Sequence, residues 1–154
     1  MPAKNKLSLS VQYPDARLRE SITRAKVRRW VQAALLAPAE LTIRFVDADE
    51  GRALNLAYRH KDYATNVLTF AYNEEGQDEI EPTRADIVLC TDVLQSEAQE
   101  QNKTLIAHCA HLIVHGVLHA QGYDHDDDAE AMEMEALETA IVTKLGFGDP
   151  YRQD

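Results

Sequence analysis

The stretch His115-Gly116-Val117-Leu118-His119-Ala120-Gln121-Gly122-Tyr123-Asp124-His125 constrains this chain more than any other. His115 and His119 stand four residues apart, so on a helix both imidazoles leave from one face. Gly122 accepts positive φ where a helix ends, and the chain can then turn back to bring His125 to the same point. Three neutral imidazoles suit Zn²⁺ and keep a fourth position for water, the layout of a catalytic site rather than a closed structural one. Leu105, Ile106, Cys109, Leu112 and Ile113 run along the same segment, which is expected to be the buried central helix. His108 and His111 also fall at helical spacing there; they read as core or supporting histidines that donate to a carboxylate or carbonyl.

At 154 residues the chain is expected to form one domain, residues 1–154, with a single core. Its start lacks an apolar signal segment and no apolar run is long enough for a membrane span, so the expected location is the cytoplasm and no membrane partner is expected. Cys90 and Cys109 lie in apolar segments and read as reduced, buried thiols. The net charge of −10 argues against a general nucleic-acid binder. The charge is unevenly spread, however. Residues 1–29 carry eight basic side chains (Lys4, Lys6, Arg17, Arg19, Arg24, Lys26, Arg28, Arg29) against two acidic ones (Asp15, Glu20), a composition that builds either a basic face or a solvated helix surface.

Taken in order, Leu7, Leu9, Val11 and Tyr13 alternate with polar residues as a half-buried strand ended by Pro14. Ile22, Val27, Trp30, Val31, Ala34 and Leu35 form the apolar stripe of a helix that Pro38 stops, which makes Trp30 a core residue. Leu41, Ile43 and Phe45 mark a second strand. A helix follows from about residue 50 to 58, ending in Arg59-His60-Lys61, where cations suit the negative helix pole. Residues 67–72 and 86–90 read as two further strands around an acidic loop at 73–84. Thr91 or Asp92 is expected to cap the next helix. After Gly122, residues 126–128 cap a last helix whose Met134, Leu137, Ile141 and Leu145 face the core, closed by Lys144 and Gly146. The tail at 147–154 is expected to fray. The fold class is α+β: a small mixed four-stranded sheet packed with about five helices, the central buried one carrying the metal-binding histidines.

The zinc-protease signature His-Glu-x-x-His has a glutamate where this chain has Gly116, although the wider spacing His-x-x-x-His-x-x-Gly-x-x-His is kept. Without that general base, and with unoccupied space expected beside the metal, the site suits an anionic phosphodiester better than a peptide. On this reading Gly116→Glu keeps zinc and weakens cleavage of the phosphodiester. Asp124, next to His125, reads either as a support or general base for the site or, with the aspartates after it, as a turn and cap residue, the favoured reading because caps commonly use Asp. Neither a nucleophilic triad nor a phosphate-binding glycine loop is evident.

His-Gly-x-Leu-His-x-x-Gly-Tyr-Asp-His resembles the signature of the bacterial YbeY family of endoribonucleases. Leu54-Asn55, Tyr58-Arg59, residues 65–70, Asp86-Ile87-Val88 and, in the last helix, Met134 or Met132 with Glu135 resemble its other blocks in order. The resemblance implies a zinc-dependent, single-strand-specific endoribonuclease acting in 3′ maturation of small-subunit ribosomal RNA and in ribosome quality control, in contact with the small subunit and its proteins. It implies one Zn²⁺ held by His115, His119 and His125, with Arg59 and His115 catalytic and Arg59 binding substrate, a role in which a bidentate guanidinium outdoes lysine. Asn66, Thr69 and Ala85 depart from the family pattern, where Asp, Ser and Gly are expected. Two other readings stay open: a metal-dependent hydrolase of peptides, and a ribosome-associated module with a structural zinc. The oligomeric state is not legible.

Overall fold

The computed structural model describes residues 6–72, 82–124 and 126–151, so most of the acidic loop at 73–84 and all of His125 lie outside the described residues. Strand β1 (Leu7–Gln12) leads through a short 3-10 turn at Ala16–Leu18 to helix α1 (Arg24–Ala34), followed by β2 (Ala39–Val46) and α2 (Ala48–Arg59). Strands β3 (Val67–Ala71) and β4 (Thr83–Cys90) come next, and then α3 (Thr91–Glu100), α4 (Leu105–Ala120) and α5 (Asp128–Lys144). The four strands form one sheet in the order β1-β2-β4-β3. The β1/β2 and β2/β4 pairs are parallel and β3 runs antiparallel to β4, which leaves β3 on an edge. This is the α+β architecture with a mixed four-stranded sheet that the sequence implies. No described helix is long and apolar enough to cross a membrane.

Period-two alternation decides which face is buried. Leu9 and Val11 of β1, Leu41, Ile43 and Phe45 of β2, and Ala85, Ile87 and Leu89 of β4 join the main core with Val27, Trp30, Val31 and Ala34 of α1 and the apolar residues of α4. On the opposite face Val46, Leu68 and Val88 form a smaller cluster beneath Leu54 of α2 and Phe70. Trp30 is 3% exposed and meets the Phe147 ring edge-on at 6.1 Å, a core residue as its place on the stripe requires. Both cysteines are free and buried, and burial pushes their thiols up, away from nucleophilic use.

Local reading of the sequence misplaces four features. Ile22 belongs to the turn before α1, because Thr23 caps that helix by accepting from Lys26 N at 3.3 Å; Ile22 is held instead by Leu18 O at 2.7 Å. Strand β4 starts at Thr83 rather than at 86, since its register with β2 begins at the Ala39–Thr83 pair. Neither Thr91 nor Asp92 caps α3, whose N-cap is Cys90 without a side-chain bond. Asp92 serves a neighbour: its carboxylate accepts from Ala48 N at 2.8 Å at the start of α2 and from Arg17 Nη1 at 2.8 Å. The tail does not fray before 151. Phe147 N bonds to Val142 O at 3.2 Å, Lys103 Nζ donates to Pro150 O, and the Tyr151 hydroxyl reaches a buried carboxylate described below.

Gly116 requires a second correction. It lies where α4 crosses the sheet, and a Cβ built on it would stand 2.9 Å from Ile87 Cγ2 and 3.5 Å from Thr69 Oγ1. The space expected to be unoccupied is filled by β4 and β3, and the glycine is there to let helix and sheet approach. Gly116→Ala should therefore destabilise the fold, because overpacking of about 1–3 kcal/mol exceeds the gain in helix propensity of about 1 kcal/mol. A thermal melt should show Tm lowered by a few degrees. Gly116→Glu, which also buries a carboxylate, should lose the fold before it informs on cleavage. An unchanged melt for Gly116→Ala would show that the contact is looser than described.

Candidate active site

Helix α4 starts cleanly because Thr104 caps it, accepting from Ala107 N at 3.1 Å. It ends where Gly122 takes φ of 105°, with Tyr123 N bonded back to Leu118 O at 3.1 Å. Between these ends His108, His111, His115 and His119 occupy a single stripe about 80° wide at 3.6 residues per turn. The remaining circumference is apolar, and buried from Cys109 to Leu118. Polar chemistry is thus confined to one line on an otherwise oily helix, and each histidine must find a partner along it.

His115 and His111 find the same one. Glu138 of α5 is 1% exposed, and its Oε2 lies 3.2 Å from His115 Nδ1 while its Oε1 lies 2.6 Å from His111 Nε2. The Tyr151 hydroxyl donates to Oε1 at 2.7 Å. Burial alone would push this carboxyl up, but the hydrogen bonds from His111, His115 and Tyr151 outweigh it and hold it down at about 2. An ionised carboxylate only accepts, so His115 Nδ1 carries the proton and Nε2 carries the lone pair. His119 reaches the same tautomer separately, since its Nδ1 donates to Tyr123 O at 2.9 Å. The rings of His115 and His119 lie 6.4 Å apart at 12°, nearly parallel. His108 Nε2 donates to Glu97 Oε1 at 3.0 Å, and burial holds its pKa below the usual histidine range.

The cleft in front of this pair encloses about 440 Å³ and is lined by Tyr58, Arg59, Val67, Leu68, Thr69, Phe70, His115 and His119. It wraps the edge strand β3, with α4 on one side and the end of α2 on the other. Arg59 is the last residue of α2, and His60 turns the chain at φ 59°. That end is pinned from behind: Asn55, fully buried, donates from Nδ2 to Tyr63 O at 2.8 Å, and Arg52 Nε donates to Asp62 at 2.6 Å. Arg59 therefore sits both at the helix pole, where a cation is favoured, and in the cleft. Asn66, the first departure from the expected pattern, is structural here. It donates to Glu97 at 3.1 Å and accepts from Val67 N at 2.7 Å, which fixes the entry into β3.

The structure brings Arg59, His115 and His119 together; His125 lies outside the described residues. Among the described residues no third His, Cys, Asp or Glu joins a metal-binding group. The donor pair nonetheless fits a borderline cation such as Zn²⁺. Both Nδ1 atoms are committed to an oxygen acceptor, the arrangement that leaves Nε2 as ligand and raises its basicity. Sequence reasoning missed Glu138, Tyr151 and the Tyr123 carbonyl. Only the first left a signal: Glu138 stands midway between Met134 and Val142 at four-residue spacing, and all three are buried. A carboxylate on a core stripe needs a buried partner, and the histidine helix supplies two of its three.

A family model described as Endoribonuclease YbeY matches residues 8–146. A relative from Janthinobacterium sp. (strain Marseille), named Endoribonuclease YbeY, is 68% identical over 151 residues, covering 98% of this chain and 98% of its own. Another of the same name, from Herminiimonas arsenicoxydans, is 64% identical over 151 residues, covering 96% and 97%. The solution structure of TM1509 from Thermotoga maritima superposes with a TM-score of 0.60 at 25% identity, covering 94% of this chain and 99% of that one. With its fold, its motif and these matches over nearly the whole chain in agreement, the protein belongs to the YbeY family of endoribonucleases.

Proposed function

We propose that residues 1–154 form a single zinc-dependent endoribonuclease domain that cuts single-stranded RNA in the cytoplasm, acting in 3′ maturation of small-subunit ribosomal RNA and in ribosome quality control at the small subunit. The observation that carries this reading is the placement of Arg59 opposite a pair of tautomer-fixed histidines in one cleft. His115, His119 and His125 hold the metal. A bound Zn²⁺ supplies Lewis acidity and a water acidified to a pKa of about 7.

The chain's own residues do the rest. Arg59 grips two oxygens of the scissile phosphate through its planar fork and opposes the charge that grows in the transition state. Glu138 and the Tyr123 carbonyl keep both imidazoles aimed, so no reorganisation is needed when substrate arrives. Tyr58 and Phe70 pack edge to face at 5.0 Å and wall the cleft beside Arg59, lowering the local dielectric around the phosphate.

Three variants test this. On single-stranded RNA, His115→Ala should abolish cleavage together with bound zinc. Arg59→Lys should keep zinc but lower kcat/KM by about 10- to 100-fold, as expected for losing one strong charge-assisted contact; cleavage at the wild-type rate in both variants would assign the activity to a contaminant. Glu138→Gln replaces one of the two acceptor oxygens with an amide donor, which then faces an N–H of His111 or His115, and should weaken zinc affinity about 10- to 100-fold in a chelator competition. Unaltered affinity would mean that Glu138 does not set the His115 tautomer.

A further inference from the structure

We propose that the cavity on the outer sheet face, which no described helix covers, is a second nucleotide site, which takes the base of a nucleotide adjoining the one whose phosphate lies at Arg59. The inference rests on the reading of the cleft as an RNA-cleaving centre and adds where the strand continues. A cavity of about 420 Å³ lies on that face, lined among others by Gln12, Thr42, Arg44, Tyr72 and Asp86. Tyr58 and Phe70 line both this cavity and the catalytic cleft, so the two are neighbours sharing one aromatic wall.

Helix α2 packs its Leu54 on this face against the Val46, Leu68 and Val88 cluster, and Leu54 also forms part of the cavity wall. Two large rings stand in solvent beside that cover, Tyr58 at 66% and Tyr72 at 57% exposure. Neither is loose. The Tyr58 ring leans on Phe70 at 5.0 Å and 63°, and the Tyr72 hydroxyl donates to Asp86 Oδ2 at 2.8 Å. Rings fixed in orientation but open to water are what a base needs for stacking.

Charge separates the roles of the two cavities. Arg44 is spoken for, donating from Nε to Glu50 and from Nη1 to Gln12, each at 2.9 Å, and Asp86 adds a further negative group. With two carboxylates, Glu50 and Asp86, against the one guanidinium of Arg44, the cavity does not attract a phosphate. It offers stacking surface with amide, hydroxyl and carboxylate groups for base edges, whereas Arg59 takes the backbone on the other side of the wall.

The test compares Tyr58→Leu and Tyr72→Leu with Tyr63→Leu, which is 54% exposed and lines neither cavity, in the zinc-loaded full chain. Single-stranded oligonucleotides from two to eight nucleotides are the probes, read both as KM for cleavage and as binding by anisotropy. The wild type and Tyr63→Leu should gain affinity on lengthening, and each of the other two variants should lose about 10- to 100-fold of that gain, the equivalent of one base stack. The loss should be the same at 50 and 200 mM salt, since stacking releases no counterions. Wild-type length dependence retained in both variants, or absent from the wild type itself, would overturn the inference. So would normal action on free RNA with loss of small-subunit association alone, which would give the face to a protein partner. RNA bound with the stated preference but never cut would sink the cleavage reading and leave this one standing.

Discussion

A carboxylate with 1% exposure cannot survive in an apolar core unless its charge is answered, and Glu138 is answered by three donors from two other parts of the chain. His111 and His115 come from α4 and Tyr151 from the segment after α5, so one side chain joins the central helix, the last helix and the tail. The same bonds carry the chemistry. By accepting from His115 Nδ1, Glu138 selects the tautomer whose other nitrogen can ligate a metal, and the Tyr123 carbonyl does this for His119. The packing of the two helices and the aim of His115 therefore rest on the same carboxylate.

The second constraint is steric. Helix α4 must lie close to the sheet for its histidine stripe to face β3, and Gly116 against Ile87 sets how close. That approach also makes the cleft narrow enough for Arg59, delivered from α2 around the edge strand, to oppose the histidines. The interior of Asn55 and the Arg52–Asp62 pair hold the end of α2 in place, so the arginine is positioned by bonds its own side chain does not make.

How much of this the sequence discloses follows from the range of each interaction. Period-two alternation in β1 and β2, the Thr104 cap and the Gly122 exit are local, and the residues announce them. The helical stripe of α1 is announced too, apart from Ile22, which an upstream turn claims. Asp92 looks like a cap for its own helix but serves α2, because a carboxylate at one helix start can reach the start of another packed beside it. Gly116 shows the same limit. Beside two histidines it reads as a missing carboxylate, and only the sheet packed against it reveals a glycine chosen for close approach. The Tyr151 tail looks frayed for want of a visible partner, which sits thirteen residues earlier inside the core.

The most direct measurement is the protonation of the histidine rings, read from long-range ¹H–¹⁵N correlations on the labelled full chain before and after adding zinc. The account expects His115 and His119 to carry their proton on Nδ1 in both states, with the Nε2 resonances alone shifting when zinc binds. Protons on Nε2 without metal, or loss of the Nδ1 proton on adding it, would contradict the claim that Glu138 and the Tyr123 carbonyl prepare the site.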